Sequence, residues 1–214
     1  MINKNIKISI IDYDVGNTGS MANALRFLGY EVVITDGPDT MDSSDLLILP
    51  GVGAFGAAMS SIGNKGLFEP ISTLVLDKRK PIIGICLGMQ IFGSHSQESP
   101  GYQGFNFIPG EIKKIVPKSG QYSVPHVGWN DIRFDEESGI YKKINMNDNF
   151  YFDHSYHFDC NDEYISSVFD YADEELVSSV YKENILGIQF HPEKSQNNGL
   201  KLLRGAIETL IQKC

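Results

Sequence analysis

Three short segments carry residues whose types and spacing could do covalent chemistry. In Ile83-Gly84-Ile85-Cys86-Leu87-Gly88-Met89-Gln90 an apolar, strand-like run meets Gly-x-Cys-x-Gly and then a helix-like stretch. That is the layout of a nucleophile elbow with cysteine in the serine position, where a strained turn presents the nucleophile and the residues two before and two after must be small. Gly84 and Gly88 meet that demand. Cys86 then projects from a strand's carboxyl end, where open α/β sheets bind ligands. A thiol nucleophile needs a base and a group that orients the base. Among the histidines at 95, 126, 154, 157 and 191, the best placed is His191 in Phe190-His191-Pro192-Glu193, which closes an apolar run. Pro192 biases His191 to extended backbone. Residues two apart in an extended chain face the same side, so Glu193 can reach the imidazole. The third segment is Leu49-Pro50-Gly51-Val52-Gly53, whose glycines leave backbone N–H groups open to an oxyanion.

The other candidates read more plainly. A buried cysteine is usually a small hydrophobe, and neither Cys160 nor Cys214 sits in an elbow. His126, His154 and His157 lie among aromatics and read as satisfying backbone groups. Trp129 and Tyr151 read as core or rim aromatics, or as anchors if an interface exposes them. The runs Asp135-Glu136-Glu137 and Asp173-Glu174-Glu175 read as solvated turns.

The elements that must position these residues follow from periodicity. Ile6–Ile11, Glu31–Thr35, Leu46–Leu49 and Pro81–Ile85 read as short buried strands, with a helix over Asn17–Leu28 stopped by Gly29. Apolar strands alternating with helices predict a parallel sheet covered on both faces. From about Phe105 to Tyr181 the runs Glu111–Val116, Asn149–Phe158, Ile165–Tyr171 and Leu176–Tyr181 alternate without helical period and predict an antiparallel extension of the same sheet. Ile185–Phe190 reads as a further strand and Gly199–Ile211 as a closing amphipathic helix. With no linker, repeat or low-complexity tract, residues 1–214 read as one α/β domain.

Composition narrows the function. The 27 acidic against 18 basic residues give a formal charge of −9, which argues against a nucleic-acid surface. Three cysteines without metal-ligand spacing point away from disulfides and structural metal, and no cofactor is expected. Met1–Ile11 lacks a secretory apolar core, and no run of about 18 apolar residues occurs, so a soluble, reduced, cytoplasmic protein is expected, without a membrane partner.

Gly-Ile-Cys-Leu-Gly-Met-Gln with Gln-Phe-His-Pro-Glu resembles the class I triad glutamine amidotransferases. Within them the chain is similar to the glutaminase subunits of imidazole glycerol phosphate synthase. The marks are Asp12-Tyr13 with Gly16-Asn17, Pro50-Gly51-Val52-Gly53-Ala54-Phe55, Pro125-His126-Val127-Gly128-Trp129-Asn130, Tyr151-Phe152-Asp153-His154-Ser155-Tyr156 and His191-Pro192-Glu193-Lys194-Ser195, in order along nearly the whole chain.

The resemblance implies a flavodoxin-like fold and hydrolysis of L-glutamine to glutamate and ammonia. It assigns Cys86 as nucleophile, His191 as proton shuttle and Glu193 as its orienting partner. The oxyanion hole falls on N–H groups of Gly51, Val52 and Leu87, and glutamine contacts fall on Gly53, Gln90, Glu98, His154, Ser155 and Tyr156. Ammonia would pass to a (β/α)8-barrel cyclase subunit in a heterodimer making imidazole glycerol phosphate and aminoimidazole carboxamide ribonucleotide for histidine biosynthesis, with Asn17, Trp129, Tyr151 and Lys194 facing that partner. It also implies a free subunit that hydrolyses glutamine poorly, with Gly51 and Gly53 giving the oxyanion strand freedom to reorient. Three departures stand out: Asp14 where Gly is usual, Asp153 in place of an apolar residue, and Gly104-Phe105-Asn106-Phe107 where a second Gly is normal. Asp14 and Asp153 keep open a paralogue that feeds amidination of a surface sugar. A cysteine peptidase of the same superfamily ranks lower, because Leu87 stands where those proteins place His.

Overall fold

A computed structural model describes residues 6–146 and 148–213; Cys214 and the first five residues lie outside the described residues. The first half alternates strand and helix: β1 (Lys7–Ile11), α1 (Thr18–Phe27), β2 (Glu31–Thr35), α2 (Pro38–Asp42), β3 (Leu46–Gly51), α3 (Phe55–Asn64), α4 (Phe68–Ser72), β4 (Ile82–Cys86) and α5 (Leu87–Gln90). The second half is strand-rich: β5 (His95–Ser96), β6 (Gly110–Lys114), β7 (His126–Asp131), β8 (Arg133–Phe134), β9 (Asn149–His154), β10 (Tyr156–Cys160), β11 (Ile165–Tyr171), β12 (Glu174–Lys182) and β13 (Ile185–Ile188), closed by α6 (Gln196–Lys213).

Eight strands form one sheet in the order β2-β1-β3-β4-β13-β12-β11-β8. The first five run parallel, and every residue of β3, β4 and β13 is buried. These apolar strands have helices on both sides, as two separate cores require. On one face Ile10, Ile83, Ile85 and Leu186 pack with Met21 and Leu25 of α1 and Leu203, Ala206 and Leu210 of α6. On the other, Leu47, Leu49 and Ile82 pack with Ala58 and Ile62 of α3 and Ile71 of α4. Asn17 caps α1 by accepting from the Ser20 amide at 3.2 Å, and Gly29 follows at φ +91°, the conformation that makes it a stop.

The antiparallel half corrects the expectation of a single extended sheet. Only β12, β11 and β8 continue the main sheet; β10, β6 and β5 form a second sheet, and β7 pairs with β9 in a third. The run Asn149–Phe158 is two strands, because the His154 ring bonds the Tyr156 carbonyl two residues on, at 2.8 Å, and folds the chain at Ser155. The chain then leaves β7 for β6 as its partner. Sequence periodicity also left out α3, whose first N–H groups are capped from a distance: Glu98 Oε2 accepts from Phe55 at 2.7 Å and Ser99 Oγ from Gly56 at 3.0 Å.

Candidate active site

The carboxyl ends of β3, β4 and β13 lie side by side, with Gly51 in register with Cys86 and Ile188 in register with Ile85. Three of the sequence segments therefore meet because their strands are parallel neighbours. Cys86 takes φ +55°, ψ −109°, the strained turn of an elbow. The turn is possible because its glycines leave no room for side chains. A Cβ on Gly84 would lie 2.6 Å from the Gly88 oxygen, and one on Gly88 1.8 Å from the Leu49 oxygen. Helix α5 beyond it is a single turn.

His191 is 3% exposed, as is the side chain of Glu193, and its Nδ1 lies 2.8 Å from Glu193 Oε1. That bond leaves Nε2 open to the cleft that His191 lines together with Cys86. Burial works against the charged ring, but the hydrogen bonds and charges of Cys86 and Glu193 outweigh it and raise the pKa to about 10. The backbone around His191 is held as well. Its N–H donates to the Tyr151 carbonyl at 2.8 Å, and Ser195 Oγ donates to the His191 carbonyl at 2.7 Å while accepting from the Tyr151 amide at 2.9 Å.

A cleft of about 260 Å³ opens over Cys86, lined by Val52, Gly53, Leu87, Gln90, Glu98, Pro125, Asp153, His154, Ser155, Tyr156 and His191. It gathers the residues anticipated for a small amino-acid amide, with the exceptions of Gly51 and Glu193, which stand behind the wall. Gly51 is closed in by β3's neighbours: a Cβ there would meet the Tyr13 hydroxyl at 2.5 Å and Leu87 Cβ at 2.8 Å. Only glycine fits at that position, whereas Gly53 has φ +93° and open space for 4 Å around the place a Cβ would take.

Asn17, Trp129, Tyr151 and Lys194 lie outside the cleft. Trp129 and Tyr151 are cross-strand partners with ring centroids 6.1 Å apart, and Lys194 Nζ lies 5.4 Å from the Tyr151 ring centre. Among the described residues no cluster of His, Cys, Asp or Glu has the makings of a metal site, and no helix is long and apolar enough to cross a membrane.

The profile described as glutamine amidotransferase class-I matches residues 9–207. The chain belongs to that family. Among relatives of this amidotransferase, imidazole glycerol phosphate synthase subunit HisH 2 of Vibrio vulnificus is 42% identical over 210 residues, 97% of each chain. HisH of Methanothermobacter thermautotrophicus is 41% identical over 203 residues, 95% of this chain and 98% of the relative. In fold, a solved glutamine amidotransferase matches 95% of the chain and 98% of its own at a TM-score of 0.74 and 15% identity. The PurLQS structure from Thermotoga maritima matches 97% and 100% at 0.72 and 18%. At such identities the likeness speaks for the fold.

Several residues of the amidotransferase site had no role assigned in the sequence. Gln189, fully buried, donates from Nε2 to the Cys86 sulfur at 3.7 Å. Tyr13 donates its hydroxyl to the Pro50 carbonyl at 2.8 Å, bracing the peptide before Gly51, and burial, with the Cys86 charge, raises its pKa. Ser195 ties His191 to β9. Gln189 and Ser195 stand inside quoted motifs, and Tyr13 in Asp12-Tyr13, but what each touches depends on register between strands far apart in sequence.

Proposed function

We propose that this chain is the glutaminase subunit of an imidazole glycerol phosphate synthase, a single domain that hydrolyses L-glutamine and passes ammonia to a (β/α)8-barrel cyclase subunit in histidine biosynthesis, in the cytoplasm. The observation that carries the chemistry is the meeting of Cys86, His191 and Glu193 at adjacent parallel strand ends beside one small cleft. The near-full-length likeness to HisH proteins supports the pathway.

The reaction runs as acyl transfer. The Cys86 sulfur attacks the glutamine carboxamide, and the oxyanion is received by N–H groups of Leu87 and the Gly51–Val52 segment. His191 gives its proton to the departing nitrogen, which leaves as ammonia, and Cys86 keeps the glutamyl group as a thioester. His191 then takes a proton from water, whose oxygen displaces the sulfur and releases glutamate. Glu193 holds the ring through Nδ1. Gly53, Gln90, Glu98 and the His154-Ser155-Tyr156 segment hold the substrate, with Glu98 the anion suited to its α-ammonium group. Asn17, Trp129, Tyr151 and Lys194 meet the cyclase.

With the cyclase present, Cys86→Ser should abolish turnover from glutamine and leave turnover from ammonium salts. Loss of both activities together would overturn the two-site assignment.

A further inference from the structure

One backbone carbonyl fixes the direction of a buried polar chain that ends on the Cys86 sulfur. The Tyr156 carbonyl can only accept, and it is met by Gln90 Nε2 at 3.1 Å and by His154 Nδ1 at 2.8 Å. Gln90 therefore presents its amino group on that side, and His154 carries its proton on Nδ1. The same Gln90 nitrogen lies 3.1 Å from the Gln189 side-chain oxygen, which turns the Gln189 amide so that its own Nε2 points at Cys86 Sγ, 3.7 Å away. On the far side, His154 Nε2 is left as an acceptor and His126 Nδ1 lies 3.3 Å from it. Turning the Gln189 amide over would set nitrogen against nitrogen at Gln90 and oxygen against sulfur at Cys86. Gln189 is fully buried and Gln90 5% exposed, so water does not readily relieve either clash.

We propose that Gln189 is a further catalytic residue, its side-chain N–H being a second donor to the Cys86 sulfur beside His191. The proposal rests on the glutaminase reading, and the chemistry shows why two donors are useful. His191 turns to the leaving nitrogen as the thioester forms and to water as it breaks, so in the second step the sulfur departs as a thiolate while His191 is engaged elsewhere. The Gln189 N–H is fixed on the sulfur throughout. The Asp153 carbonyl, 3.9 Å from the same sulfur, can accept from a thiol but offers nothing to a thiolate.

Two variants of the full chain test this. Gln189→Glu keeps an acceptor for Gln90 and removes the donor; Gln189→Met keeps the length and removes both. Each should lower kcat for glutamine roughly 10- to 100-fold, the scale of a lost hydrogen bond to a charged group, with KM changed by less than about threefold. The ultraviolet absorbance of the thiolate, taken against a Cys86→Ala background, should shrink in both. A folded variant with wild-type kcat and an undiminished thiolate band overturns the proposal, and should one variant fail to fold, the other decides. Absence of glutamine turnover in the wild-type complex would instead overturn the glutaminase reading, and the thiolate band would still report on Gln189.

Discussion

His191 and the pair His126 and His154 belong to one buried neighbourhood, yet their charges respond to folding in opposite directions. Burial alone pulls His126 down to about 4, and burial chiefly pulls His154 down to about 3 against the bond to the Tyr156 carbonyl. His191 is opposed by burial too, but goes up to about 10 because it alone faces Cys86 and Glu193. An imidazole raised above its ordinary 6.5 adds stability that is complete below 6.5 and is lost as pH climbs through about 10. Imidazoles held below 6.5 cost stability as pH falls, since the unfolded chain takes protons that the native state refuses until about pH 4 and 3. Denaturant midpoints followed against pH should therefore fall on both sides, and Glu193→Gln should make the alkaline fall shallower while leaving the acid side alone. An unchanged alkaline side would remove the His191–Glu193 pair as its source. The triad was legible because its members sit in short motifs with their own backbone demands. The departures Asp14 and Asn106 become intelligible only in three dimensions: they take φ +66° and +52°, where Asp and Asn are the residues that best replace glycine. Asp14 also pairs with Lys65 at 2.9 Å.

At the scale of elements, the parallel half could be read from sequence because its strands are short, mainly apolar runs, the central ones buried throughout, that alternate with helices. The antiparallel half could not be read fully, since alternation shows that a strand has two faces but not which strand it pairs with. The split of Asn149–Phe158 into β9 and β10 falls at the Ser155 bend, which the His154 ring bridges and where the pairing partner changes from β7 to β6. The elbow depends on glycines in a way that separates steric need from propensity. In Gly88→Ala the new methyl would lie 1.8 Å from the Leu49 oxygen and 2.9 Å from its carbon, both backbone atoms of β3. That clash should cost at least about 1–3 kcal/mol and displace Cys86 from the strand ends. Gly63 is an exposed residue of α3 with open space around it, and Gly63→Ala should instead add up to about 1 kcal/mol through helix propensity. Thermal melts of the two variants would show opposite shifts, and a mild effect at Gly88 would mean that the elbow is looser than its geometry.

For the whole molecule, the β7–β9 ribbon is the piece that reaches both the cleft and the outside. Its inner face carries His126, Phe150, Phe152 and His154, all buried, whereas Val127 and Trp129 on the outer face are 56% and 45% exposed. Exposed aromatics of this kind are common anchors of interfaces. The main chain of β9 touches both Cys86 and His191, since the Tyr151 carbonyl holds the His191 backbone amide at 2.8 Å and the Asp153 carbonyl lies 3.9 Å from the Cys86 sulfur. A partner pressing on Trp129 and Tyr151 thus sits one strand's thickness from the catalytic pair, and Gly53 supplies a point at which the oxyanion segment can turn. The free chain should accordingly hydrolyse glutamine slowly, and the cyclase with its ligand should stimulate it. Trp129→Ala should weaken the complex by about 2 kcal/mol, as truncation of a central aromatic does, and should lower the stimulated rate even when the cyclase is saturating. Titration calorimetry gives the first quantity and glutamate release the second. If Trp129→Ala weakens binding but leaves the saturated rate at the wild-type value, the ribbon holds the partner without relaying its arrival, and the signal must travel through β3 and the Gly51–Gly53 segment instead.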